Sequence, residues 1–87
     1  MIKDKLFIIS HHACKGCEIV KKAVGDKLPI YDIAESNDAF QMVQEGKLRA
    51  VPTAFYMDEG SLKKCEIKDS QSKIIIDCGK EHLEFSK

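Results

Sequence analysis

Two cysteines three residues apart, Cys14 and Cys17, stand where one hydrophobic periodicity gives way to another. Before them runs Leu6-Phe7-Ile8-Ile9, short, apolar and β-prone, the pattern of a buried strand. After them, Cys17, Val20 and Val24, with Ile19 and Ala23 beside them, recur at helical spacing and leave Glu18, Lys21 and Lys22 for water. Ser10-His11-His12-Ala13 is the loop between, and Gly25-Asp26 stops the helix. A thiol pair held at the start of a helix, just after a strand, suits two kinds of chemistry: disulfide exchange or soft-metal binding.

The alternation continues downstream. Leu28 to Ile33 reads as a second strand, with Pro29 near its beginning or on an edge because it has no N–H for a ladder. Ser36 is a helix N-cap, Phe40, Met42 and Val43 supply the apolar face of that helix, and Gly46 ends it. Val51-Pro52-Thr53 opens a third strand, Thr53 to Met57, and Asp58-Glu59-Gly60 is a turn. Leu62 to Lys68 is a fourth strand, whose charge and poor alternation place it at an edge. Asp69 to Ser72 is a turn, and the β-branched run Lys73 to Cys78 is a fifth strand. Glu81 to Lys87 is a short amphiphilic tail, for which one or two helical turns is one reading and the sequence does not fix the conformation. Tyr31, Phe40 and Phe55 are expected in the core.

The expectation is one α/β domain over residues 1–87. Its order is β-α-β-α-β-β plus an extra C-terminal β segment, in a central mixed sheet with flanking helices. The first two strands are joined by a crossover and run parallel; the later ones are joined by tight turns and pair antiparallel.

Composition removes several functions. Fourteen basic residues balance fourteen acidic ones, against a dedicated nucleic-acid binder, which displaces counterions with net positive charge. No apolar stretch approaches the ~20 residues of a membrane span. Met1 to Lys5 leads into an apolar run of four, short of the ~7–15 residues of a secretory h-region, so a cytoplasmic location is expected; a monomer is expected as well. In a reducing compartment the four cysteines point to catalysis or metal binding rather than a structural framework.

At a helix N-terminus the Cys14 thiolate is favoured by unsatisfied N–H groups and partial positive charge, with Lys15 nearby and His11 and His12 as candidate tuning groups. Cys17, one turn on, points back toward Cys14 and can resolve a mixed disulfide formed there. Gly16 leaves the approach to Cys14 open. Pro52 is a candidate cis site, and the Val51 backbone beside it is a candidate edge for an extended substrate.

The strand, the Cys14-Lys15-Gly16-Cys17 motif at a helix start, the βαβ order and Val51-Pro52 opening the third strand together resemble the thioredoxin superfamily. The closest likeness is to its small glutaredoxin-like or thioredoxin-like redoxins, over roughly residues 4–67. The resemblance implies a thioredoxin-like three-layer fold, a nucleophilic Cys14, a resolving Cys17 and a cis-Pro52. It implies a thiol–disulfide oxidoreductase that exchanges with a protein or small-molecule disulfide and draws on a reductase or thiol donor. It departs from the family at three places: Ala13 stands where an aromatic residue is frequent, Ile8 where thioredoxins bury an aspartate, and Lys63-Lys64 where glutaredoxins carry a Gly-Gly pair. No cofactor is required; these departures leave glutathione a doubtful donor, and a thioredoxin-like hydrogen donor or a specialised redoxin fits as well.

The rival reading is a soft-metal-binding or redox-sensing module using His11, Cys14 and Cys17, with Cys65 or Cys78 approaching as a fourth ligand. A turn at Asp69 to Ser72 sets Cys65 opposite Ile76 and leaves Cys78 offset by two, so these two are expected as buried free thiols.

Overall fold

The computed structural model describes residues 4–87. Strand β1 (Leu6–Ser10) is its spine: the four residues after Leu6 are buried. Phe7 and Ile9 enter one core while Ile8 enters the other, which is why β1 reads as a continuous apolar run rather than an alternating one. Helix α1 (Lys15–Val24) follows, then β2 (Ile30–Asp32), α2 (Asn37–Gln44), β3 (Thr53–Asp58), β4 (Ser61–Asp69), β5 (Lys73–Asp77) and β6 (His82–Ser86). The six strands form one mixed sheet in the order β2-β1-β3-β4-β5-β6. The β1–β2 pair is parallel, in the register Ser10 opposite Asp32; every other neighbouring pair is antiparallel.

The two helices cover opposite faces. Val20, Ala23 and Val24 of α1 pack over Ile8, Ala54, Tyr56, Ile74, Ile76 and Phe85, so α1 spans from β1 out to β5 and β6. Ala39 and Met42 of α2 pack over Phe7, Ile9 and Phe55. Local chemistry fixes the boundaries. The Ser36 hydroxyl accepts the Ala39 N–H at 3.3 Å and caps α2. Glu59 and Gly60 both take positive φ, 51° and 79°, the requirement of the tight β3–β4 turn.

Four expectations are corrected. The buried face of α2 is Ala39 and Met42, while Phe40 (50 % exposed) and Val43 lie on its outer side; eight residues give room for only a narrow inward stripe. Strand β4 is central, not an edge. Its charges are explained by a face: Lys64, Glu66 and Lys68 alternate with the inward Cys65 and stand on a side of the β4–β5–β6 region that neither helix covers. The ion pairs Lys68–Asp77 and Lys73–Glu84 lie on that open side. The C-terminal tail is a sixth strand rather than a helical turn, with Leu83 and Phe85 inward and His82, Glu84 and Ser86 outward.

The fourth correction is covalent. Cys65 and Cys78 form a disulfide, with Cα atoms 4.3 Å apart. The β4–β5 turn closes one residue later than expected, between Ser70 and Lys73, whose N–H and carbonyl pair at 3.0 Å. A shift of one at the turn shifts each partner by two, so Glu66 faces Asp77 and Cys65 falls directly opposite Cys78. Counting from the Ser70–Lys73 pair, this is a non-hydrogen-bonded position, where antiparallel Cα atoms approach to about 4.5 Å.

Candidate active site around Cys14 and Cys17

Cys14 is the N-cap of α1, with extended φ and ψ of −106° and 120°. Its sulfur accepts the Cys17 N–H at 3.1 Å, the same service that the Ser36 oxygen performs for α2. A capping sulfur is favoured as an anion, because the donor is a main-chain N–H at the positive end of a helix. Cys14 is half-buried, and its Sγ also lies 3.7 Å from the Val51 carbonyl, to which the thiol donates. Cys17 is fully buried beneath the first turn, and its Sγ accepts the His11 main-chain N–H at 3.4 Å.

These surroundings split the pair. Cys14 is held below the ordinary thiol value, first by its hydrogen bond from the Cys17 thiol, then by the Cys17 and Gly16 N–H groups and the charge of Lys21, with burial opposing. Cys17 is pushed up to about 11, by burial first and by the same bond to Cys14 seen from the donor side. One sulfur is accessible and favours the thiolate; its neighbour is enclosed and keeps its proton.

The Val51–Pro52 peptide is cis and packs against the motif. A Cβ added to Gly16 would stand 3.5 Å from Pro52 Cδ and 3.9 Å from Cys14 Sγ, so Gly16 leaves a methyl-sized opening between proline and sulfur. From Pro52 a groove of about 350 Å³ runs across Thr53, Lys64, Cys65, Glu66 and Ile67. The Cys65–Cys78 disulfide therefore borders the same groove as Pro52. Lys15 is exposed on the first turn of α1.

The histidines sit beside the pair but turn their rings elsewhere. His11 Nδ1 accepts the Ala13 N–H at 3.1 Å. His12 Nδ1 lies 3.2 Å from Asp32 Oδ2. Among the described residues, the one set of three ligand atoms close enough to share an ion is His11, His12 and Asp32; it contains neither cysteine. Three contributors escaped sequence reasoning. Lys21 acts on Cys14 across two turns of helix, and its spacing from the motif was legible. Asp32 reaches the loop only through the β1–β2 register. Ser10 is buried, its hydroxyl without a partner among the described residues, on the α1 face by alternation from Ile8.

No helix among the described residues is long and apolar enough to cross a membrane. In comparisons with protein-family models, curated proteins and solved structures, nothing matches this chain.

Proposed function

We propose that this protein is a thiol–disulfide oxidoreductase of the glutaredoxin-like or thioredoxin-like kind, working through Cys14 and Cys17. The observation that carries the reading is the asymmetry of the pair: a half-buried sulfur capping a helix, one turn from a fully buried thiol. The β2-β1-β3-β4 order with a parallel first pair, and the proline packed against the motif, support the thioredoxin-like comparison. In this chain a β5–β6 hairpin follows β4 where a glutaredoxin has its last helix.

In the reducing direction the Cys14 thiolate attacks one sulfur of a substrate disulfide. A Cys14–substrate bond forms, the substrate S–S bond breaks, and the first substrate thiolate leaves. Cys17 then gives up its proton and attacks Cys14 Sγ. The Cys14–Cys17 bond forms, the mixed disulfide breaks, and the second substrate thiolate takes the proton. Two electrons pass to the substrate, and a thiol donor or reductase restores the dithiol. Val51 and Pro52 offer main-chain groups to an extended substrate lying in the adjoining groove.

The test is turnover of a protein disulfide, with glutathione compared against a thioredoxin-reductase system. Cys14→Ser abolishes turnover, and Cys17→Ser accumulates a mixed disulfide through Cys14 visible by mass. Turnover that survives Cys14→Ser refutes the proposal.

A further inference from the structure

We infer that His11, His12 and Asp32 form a binding site for a divalent transition-metal ion, separate from the two cysteines. Topology assembles it. Strands β1 and β2 are parallel and end level, Ser10 opposite Asp32, so the two residues after β1 and the last residue of β2 meet at the carboxyl ends of neighbouring strands. That end of a parallel pair is where ligands of α/β sheets collect.

The geometry is near closure. One ligand atom from each residue lies within 4.8 Å of the others. The Asp32 side chain is only 9 % exposed and is pinned by the Ala34 N–H on Oδ1 at 2.8 Å, leaving Oδ2 directed at His12. The His12 Nδ1 to Asp32 Oδ2 separation is 3.2 Å. Two ligands bound at about 2.0–2.1 Å to one ion stand roughly 3 Å apart, so this pair already has the spacing. The His11 and His12 rings stack with centroids 4.4 Å apart, which holds the two imidazoles side by side. His12 is 62 % exposed, which opens an entry path.

The donor set selects the ion. Two imidazoles and one carboxylate suit zinc, cobalt or nickel, whereas copper(I) favours thiolates and magnesium or calcium an all-oxygen shell. Three protein ligands leave positions for water. An ion there would tie the loop to the end of β2, and the His11 N–H of that loop is the donor to Cys17 Sγ.

This inference does not rest on the disulfide-exchange reading, and its test separates the two. Wild type with Cys14 and Cys17 reduced, and Cys14→Ser/Cys17→Ser protein, both with Cys65–Cys78 oxidised, are titrated with cobalt(II) by visible absorption and with zinc(II) by calorimetry. The expected result is one equivalent bound, weakened at least about tenfold by His12→Ala and by Asp32→Asn. His82→Ala, beside the surface pair His82–Glu84, leaves binding unchanged. His12 is a surface ring, so His12→Ala folds. Absence of binding, binding indifferent to His12→Ala, or binding that disappears with the two cysteines overturns the site; the last would assign the ion to a thiolate set instead.

Discussion

Opening the Cys65–Cys78 disulfide perturbs the fold without touching Cys14 or Cys17. The two cysteines are 13 residues apart, and cross-linking a loop of ~15 residues removes about 3 kcal/mol of unfolded-chain entropy. A domain of this size is stabilised by only about 5–15 kcal/mol, so the bond is a large fraction of the total. Each kcal/mol moves the thermal midpoint of a 60–100-residue domain by about 4–8 °C, which makes the expected fall about 12–24 °C. Cys65 is 5 % exposed in the α1-side core, so Cys65→Ala/Cys78→Ala adds lost packing to lost entropy. Reduction of Cys14→Ser/Cys17→Ser protein isolates the entropy, because only the Cys65–Cys78 bond opens, two hydrogens are added and no heavy atom is removed. Thermal unfolding followed by circular dichroism, oxidised against reduced, reads the difference. A fall of less than about 4 °C on reduction, roughly 1 kcal/mol or below, refutes the reasoning.

Three further outcomes follow from the site. Cys17 titrates near 11 against an ordinary 9.0, so in EDTA-treated protein its alkylation climbs about tenfold per pH unit between 9 and 11, while Cys14 reacts first at neutral pH. The sign for stability follows: the raised Cys17 value stabilises the fold below pH 9 and that contribution is lost between 9 and 11, whereas the lowered Cys14 value stabilises above about 9 and is lost as pH falls through its folded value. Urea midpoints of wild type against Cys17→Ala and Cys14→Ala across pH 6–11 check both signs. Gly16→Ala folds at least as stably as the wild type, since its Cβ meets Pro52 and Cys14 at ordinary contact distance and alanine favours helix by up to about 1 kcal/mol. It slows attack on a protein disulfide by filling the opening beside Cys14, and unchanged turnover would count against that opening as the substrate path. Ser10→Ala leaves stability unchanged or raises it by about 1 kcal/mol, because the buried hydroxyl it removes has no partner among the described residues; a loss above about 1 kcal/mol in urea unfolding contradicts this.

Much of the molecule was legible because it is local. The Ser36 cap, the glycine stops and the turn at Glu59-Gly60 act within a few residues, and each appears where its side chain or φ demands. The dithiol at the head of α1 is local too, since N-cap and N3 contact each other through one turn of backbone. The β6 strand carried a visible signal, Leu83 and Phe85 alternating with polar neighbours, but five residues are too few to separate period two from a helical turn.

The sequence by itself determined the β-α-β-α-β-β order of the first six elements and that two thiols meet at a helix N-terminus. Tertiary structure decided the rest. It put charged β4 in the middle of the sheet, since charge marks an open face as well as an open edge, and only the position of the helices tells which. It set Cys65 against Cys78 through the placement of one turn. It brought Asp32 to His12 and the Val51 carbonyl to Cys14, pairs 20 and 37 residues apart. Contacts at that separation are fixed by sheet register, and register is a property of two strands that neither one encodes alone.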